Sequence, residues 1–437
     1  SIPYGTILNC RYPAACGGAS GIGAFLTSAA SACIARMLYA AGLHNDVNAS
    51  WYGGGSGSGG FNTGGPGIMY GGTNQHGYPV GQGIYDMHGA GFGAAPHRDG
   101  VSTGGHMNNP TVGISDIENI EMQYPMMYLS RNHMMDSGGF GKYRGGMGMQ
   151  RIILARGSKN LNVNYSPYHG IPGGWGLFGG YPAGIGGDKY RLDPENLDER
   201  FKESRYPVDL QSVSEWGEIV APDLPPLKRL PVPEGSLLVD PVMVGSGYGD
   251  PLERDPAKVL DDFFNKAVSK KFAKKVYGVE LRDDGHAVDQ TATQKLRESM
   301  RAERFATSRP VNDGVARGKL SDNNRSVMRI HESLDIVDTA DGFRIGCRSC
   351  KEDFGSADGN YKEAALYRVT HKDAITDLPP PAGRSSLGHY VEYFCKGCAT
   401  QLDVETYVPK TDGDKVVPVW DIQISPTAIA HAAAAHP

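Results

Sequence analysis

Apolar and polar positions form readable patterns near both ends of the chain and lose their period in a long glycine-rich stretch between them. Residues 24–41 (AFLTSAASACIARMLYAA) are rich in alanine and other small apolar side chains, which predicts a helix ended by Gly42 and closely buried. Residues 114–135 open with a capping-box pattern, Ser115 at the N-cap and Glu118 three positions on, and Pro125 stops the short helix this predicts. On that helix Glu118 and Glu121 lie one turn apart, and capping explains Glu118 without any chemistry. Residues 150–165 (QRIILARGSKNLNVNY) read as paired strands. Asp255 followed by Pro256 marks a helix start, with the pattern running through PAKVLDDFFNKAVSKKFAKKVYG to a stop at Gly278. A short extended piece, GVEL, leads to a second helix over residues 291–306, polar on most faces.

Composition changes the picture for the middle. Residues 51–97 are nearly free of charge and full of glycine, the composition of a flexible linker. Trp51, Tyr52, Phe61, Met69, Tyr70, Tyr78, Tyr85 and Phe92 are spread through them, however, and favour ordered loops and short strands. Residues 98–151 bring Asp99, His106, Asn108, Asp116, Glu118 and Glu121 into one run and close with Asp136-Ser137-Gly138-Gly139-Phe140-Gly141-Lys142-Tyr143-Arg144-Gly145-Gly146-Met147-Gly148. Glycine lets a backbone approach a ligand or another backbone closely, at an entropic cost. A site or a tightly fitted interface accounts for that cost, and turns between short strands are the plainer alternative. GGWGLFGGYP at 173–182 is a further aromatic-glycine loop.

Charge is uneven: residues 1–190 hold 18 of the 91 Asp, Glu, Lys and Arg side chains. The first half therefore has the character of an interior or an interface. The net charge of −5 gives no electrostatic case for nucleic acid or an anionic membrane as partner. No run of 18 apolar residues is present, and the N-terminus lacks the basic and apolar regions of a secretory signal, so the expected location is the cytoplasm. The expected fold class is α+β: a glycine-rich mixed α/β body with irregular loops over 1–190, an extended proline-rich connection over 191–254, a helical segment over 255–325, and a zinc-ribbon-like β module over 326–437.

Two kinds of side chain suggest chemistry. His76, His88, His97, His106 and His133 fall within 58 residues, without H-x-x-x-H or H-E-x-x-H spacing. A hydrogen-bonded structural role suits any one of them. His106 stands apart because it follows Gly104-Gly105 and lies seven residues after Asp99. Four of the seven cysteines form Cys347-x-x-Cys350 and Cys395-x-x-Cys398, each beside strand-like sequence. An odd number with two such pairs fits a reducing compartment and a metal site better than a disulfide framework. Four thiolates suit tetrahedral zinc, and a site closed by four protein ligands leaves no position for substrate, so the zinc is expected to be structural. Thioredoxin-like chemistry would need one active pair at a helix start. The 44 residues between the pairs imply an inserted excursion carrying His371 and His389 as competing ligands.

The segments RDGVSTGGH, ISDIENIEMQYP, DSGGFGKYRGGMGMQR and GYGDPLERDPAKVLDDFFNKAVSKKFAKKVYGVEL, in that order, resemble the hydantoinase B-type subunits over roughly residues 1–285. That superfamily includes N-methylhydantoinase, 5-oxoprolinase and the ATP-dependent acetone and acetophenone carboxylases, and the chain is similar to the C-terminal half of such a subunit. The resemblance implies a manganese site of His and Asp ligands in the other half, and a hydantoinase A-like subunit that binds ATP. Consistently, no G-x-x-x-x-G-K-[ST] loop occurs here. ATP and Mg or Mn are thus expected on partner chains. The missing half is expected from another chain, or from a polypeptide cleaved before Ser1. A zinc module on such a body resembles the carboxylase branch, whose complexes include a small zinc-binding subunit, more than the cyclic-amide hydrolases. The expected function is that of a subunit of a multi-subunit ketone carboxylase, converting a ketone and bicarbonate to a β-keto acid. The alternatives are an ATP-dependent cyclic-amide hydrolase subunit and a non-catalytic assembly subunit. On this chain His106 is the candidate acid/base or oxyanion donor, Asp99 and Asp116 its orienters, and Lys142 and Arg144 the anion contacts.

Overall fold

Met149–Ala155 is a strand with every residue buried: the apolar stretch Ile152–Ala155 fills the core, and Gln150 and Arg151 are buried as polar groups beside it. It lies in a five-stranded antiparallel sheet in the order Met126–His133, Met149–Ala155, Leu237–Pro241, Tyr190–Pro194 and Gly217–Val220. Leu154, Leu237, Leu238 and Val239 pack there with Ile120, Leu210, Val213 and Trp216. Arg151 and Asp240 face each other across two central strands, and the fully buried Asp240 carboxylate accepts from the Arg151 Nε and one terminal nitrogen. The computed structural model describes residues 4–5, 11–13, 19–50, 67–85, 90–104, 116–158, 160–165, 174–183, 190–220, 228–241, 244–314, 318–371, 374–375, 389–407 and 416–435.

Three further antiparallel sheets have four strands each. One joins Gly67–Thr73 and Pro79–Tyr85 to Asn162–Tyr165 and Lys228–Pro231. The other two belong to the C-terminal part: Arg325–Arg329, Leu334–Thr339, Gly342–Cys347 and Asp353–Ser356 in one, and Arg309–Pro310, Leu366–His371, His389–Phe394 and Gln401–Tyr407 in the other. Helices and antiparallel sheets segregated in this way make the chain α+β. Among the described residues no helix is long and apolar enough to cross a membrane.

Several sequence expectations change at this level. The strands within 150–165 do not pair with each other; Gly157, at φ +83°, turns the chain away and Asn162–Tyr165 enters a different sheet. The stretch read as an extended connection instead supplies three strands of the five-stranded sheet, with the short helices Leu197–Lys202 and Leu210–Val213 between them. Its apolar residues are the reason: Leu192, Trp216 and Leu237 all enter the core. The helix expected to continue to Gly278 is two, Pro256–Phe264 and Lys270–Lys275. Lys266 adopts φ +55°, and the Asp136 carboxylate accepts from Ser269 N at 2.7 Å, fixing a new N-cap at Ser269. The N-cap of Ile117–Gln123 is Asp116, which accepts from Glu118 N, in place of Ser115. The first helix is Ala19–Ala40, and over residues 28–40 it buries a stripe that includes Ala32, Ala35, Arg36 and Tyr39, with Ile34 and Met37 exposed.

Within the glycine-dense run, backbone packs on backbone. Phe92 N donates to Val101 O, Gly146 N to Phe92 O, Gly245 N to Gly146 O, Gly139 N to Gly245 O, and Gly247 N to Tyr181 O, so loops near residues 92, 101, 140, 180 and 246 are laced together. A Cβ on Gly245 would stand 1.7 Å from Phe92 O and 2.2 Å from Phe92 C. These N–H groups are used by the chain's own carbonyls, which makes the described part of the run an internal joint rather than an open anion cradle.

Candidate metal centre and the network beside it

Each C-x-x-C pair is the turn of a hairpin, and the two turns repeat one another. Cys347 ends Gly342–Cys347, and Cys395 follows His389–Phe394. In the first, Cys347 N donates to Glu352 O at 2.9 Å and Lys351 N to Cys347 O at 3.0 Å; in the second, Cys395 N donates to Thr400 O and Ala399 N to Cys395 O, both at 2.9 Å. Lys351 and Ala399, four residues after the first cysteine of each pair, both take the left-handed conformation, φ +61° and +57°. Gly397 N also donates to Cys395 Sγ at 3.4 Å. A side chain on Gly397 would meet Cys350 Sγ and Glu352 Oε2, each at 2.7 Å.

The two turns bring four sulfurs together, all within 4.8 Å of one another. Cys347 Sγ is 3.9 Å from Cys398 Sγ, and Cys350 Sγ is 3.6 Å from Cys395 Sγ. A tetrahedral ion with metal–sulfur bonds of about 2.3 Å has sulfur–sulfur edges of about 3.8 Å. A disulfide needs sulfurs about 2.05 Å apart. The donor set therefore fits a tetrahedral metal and not a pair of disulfides. Shared hydrogen bonds divide the thiols: those from Cys347 push Cys398 and Cys350 down, while those from Cys350 push Cys347 up and those from Cys347 push Cys395 up. A bound cation replaces such shared protons. No histidine belongs to this group, so among the described residues the expected competition from His371 and His389 is not found.

The second turn also grips the glycine-rich body. Gln401 N donates to Asp250 Oδ2 at 2.9 Å, and Gln401 Nε2 to Gly179 O at 2.7 Å. Arg304 binds both Asp250 oxygens at 2.7 and 2.8 Å and donates to Ala399 O at 2.9 Å. His331, pushed down to about 4 by burial, donates from Nε2 to Leu402 O and stacks edge-on against Phe178. Tyr39, Phe178 and Tyr248 of the body share one apolar cluster with Ile330, Leu334, Tyr393, Cys395 and Leu402.

Of the residues singled out from sequence, Asp99, Lys142 and Arg144 meet in one place. Asp99 accepts from Arg144 N at 2.7 Å and from both terminal nitrogens of Arg254 at 2.7 and 2.8 Å. Burial alone would raise its carboxyl, but Arg254 and then Arg144 hold it below the usual range. Arg254 and Arg144 each bind Asp262, and Arg254 donates to Lys142 O. The Lys142 ammonium lies 2.9 Å from Glu332, whose other oxygen accepts from Tyr39, Tyr248 and Arg329. Both expected anion contacts are thus paired with carboxylates of the chain itself. Asp116 stands outside this network as a helix cap, and His106 lies outside the described residues. Sequence reading missed Arg254, Asp262 and Glu332. The first two sit in the GYGDPLERDPAKVLDD segment, where they read only as parts of a helix start.

Glu253 completes the junction. Burial, and then the neighbouring Asp250, push its carboxyl up to about 7, against the pull of Arg301 and Lys142. Between the ordinary Glu value of about 4.3 and that point, the folded chain keeps a proton that the unfolded chain has released. Stability from this group therefore falls as pH rises through the window. Glu253→Gln should raise unfolding stability by roughly 2 kcal/mol at pH 8 and leave it nearly unchanged at pH 4; denaturant titrations at the two pH values check this, and an equal effect at both would contradict it.

The hydantoinase B/oxoprolinase family model matches residues 1–251, more than half the chain, and the chain belongs to that family. A second model, for the acetone carboxylase gamma subunit, matches residues 322–415, the part that holds all four cysteines. The acetone carboxylase alpha subunit of Xanthobacter autotrophicus is 31% identical over 56% of this chain and 33% of its own length. The acetophenone carboxylase delta subunit of Aromatoleum aromaticum is 29% identical over 54% of this chain and 35% of its own. A nucleotide-free structure of acetone carboxylase superposes with a TM-score of 0.53 at 27% identity, covering 62% of this chain and 36% of that one. The chain thus spans about a third of the length of the relatives it matches.

Proposed function

We propose that this chain is a subunit of an ATP-dependent ketone carboxylase of the acetone and acetophenone type, which joins a ketone and bicarbonate into a β-keto acid. One observation carries the reading: the acetone carboxylase gamma match lies on the same chain as the hydantoinase B match. On this reading the four cysteines hold zinc, which the tetrahedral thiolate geometry favours, and the closed ligand set makes it structural. The module takes the place of the small zinc-binding subunit expected as a separate partner. The remaining partner is a hydantoinase A-like ATP-binding subunit, which carries ATP and its Mg or Mn. Asp99 and Arg144, acting through Arg254, position the glycine joint. Lys142 fixes that joint to the C-terminal module through Glu332. His106 is the residue proposed to exchange a proton with substrate, and Asp116 holds the helix that follows it.

The family description also covers hydantoinase and oxoprolinase, which keeps amide activation as the second reading. The test is an assay of the natively purified complex, with every co-purifying chain identified by intact mass. Bicarbonate-dependent consumption of acetone or acetophenone with ATP is the expected result. ATP-dependent hydrolysis of a hydantoin without bicarbonate would transfer the chain to the amide branch. His106→Ala should abolish turnover while the complex still assembles; full turnover in that variant would leave the chain an assembly subunit.

A further inference from the structure

The two histidines that do not join the thiols meet each other. Leu366–His371 and His389–Phe394 pair antiparallel with His371 directly opposite His389, and Tyr407 lies opposite His389 on its other side. Directly opposed residues share one face of a sheet, so the three make a row at one end of it. All three are half-buried. The two imidazole rings are perpendicular, with centroids 4.7 Å apart. Two imidazoles bound about 2.1 Å from one ion, at a cis angle of about 90–109°, have ring centroids about 4.6–5.3 Å apart. The observed spacing falls within that interval, and a cross-strand pair arrives at it through sheet register rather than through long flexible side chains.

We propose that His371 and His389 form a second metal site, separate from the four thiols, for a divalent transition ion that favours imidazole. Nickel, copper and zinc are the ions of that class. Among the described residues no third ligating side chain joins the pair, so the other coordination positions fall to water or a small ligand, where the thiol site is closed. The site is independent of the ketone or amide reading. The strand ends that carry the histidines are also distinct from the turns that carry the cysteines, so the two sites are separable by mutation.

The test uses the full chain without a histidine tag, its thiol site filled with zinc, titrated with Ni2+ by calorimetry while released zinc is counted. The expected result is one equivalent of nickel bound without loss of zinc, with affinity falling at least ten-fold in His371→Ala and in His389→Ala. His76→Ala, at an exposed turn, should change nothing. Absence of a nickel equivalent, or unchanged affinity in both variants, overturns the proposal. Should either variant misfold, the nickel-edge absorption spectrum of the unsubstituted chain decides: two imidazole shells support the site, and one or none removes it.

Discussion

Cys395→Ser should remove the bound metal and unfold both hairpin turns of the C-terminal module. Cys395 is fully buried, its thiol lies 3.6 Å from Cys350 Sγ, and its N–H and C=O both close the turn. Structural zinc contributes an apparent free energy of about 10–16 kcal/mol in small zinc domains. Here the turns also rest on a shared apolar cluster that includes Tyr39, Phe178 and Leu402, so part of the fold survives without the ion. We expect a loss of roughly 5 kcal/mol or more in unfolding stability together with the loss of one zinc per chain. Metal analysis by mass spectrometry with thermal unfolding checks both. Cys33→Ser is the control, since Cys33 is exposed and, among the described residues, belongs to no thiol group. Retention of a full zinc equivalent in Cys395→Ser would contradict the four-thiolate assignment.

The second large effect is expected at Gly245. Alanine there would set its Cβ 1.7 Å from a backbone oxygen and 2.2 Å from the carbon that bears it, and neither atom can swing aside as a side-chain tip would. The laced loops must separate, and with them the bonds Gly245 N to Gly146 O and Gly139 N to Gly245 O. A loss of about 3 kcal/mol or more follows. At Gly318 an added Cβ meets nothing within 4 Å among the described residues, so Gly318→Ala should stay within about 0.5 kcal/mol. Denaturant midpoints of the two variants measure the contrast; similar midpoints would mean that the glycine joint is looser than its hydrogen bonds indicate.

Local signals in the sequence survived into the structure where one residue type does one job. Asp255 with Pro256 starts a helix because a carboxylate accepts an orphan N–H and proline lacks one, and Asp255 does accept from Ala257 N. The cysteine pairs were legible because four thiols at that spacing have few other uses. Pairing between distant strands was not legible. Nothing local in QRIILARGSKNLNVNY says that its two strands enter different sheets, since that choice is made by Leu237–Pro241 and Gly67–Thr73, far away in sequence. The Pro256–Gly278 pattern kept its helical period across the break because the break depends on Asp136, a residue on another segment. Lys142 and Arg144 looked like anion contacts for the same reason: the carboxylates that occupy them, Glu332 and Asp262, come from distant parts of the chain.

The junction gives the proposed function a physical form. The turn that carries Cys395 and Cys398 continues into Gln401, which holds Asp250 and Gly179 of the glycine-rich body. Metal binding in one module and loop order in the other thus share a backbone segment. Labelled bicarbonate supplied to the purified complex with ATP and either acetone or acetophenone tests the central claim most directly. Label fixed into a non-volatile β-keto acid, dependent on both ATP and ketone, is the result this account predicts. No fixation with either ketone by an intact complex, alongside ATP-dependent opening of a cyclic amide, would contradict it.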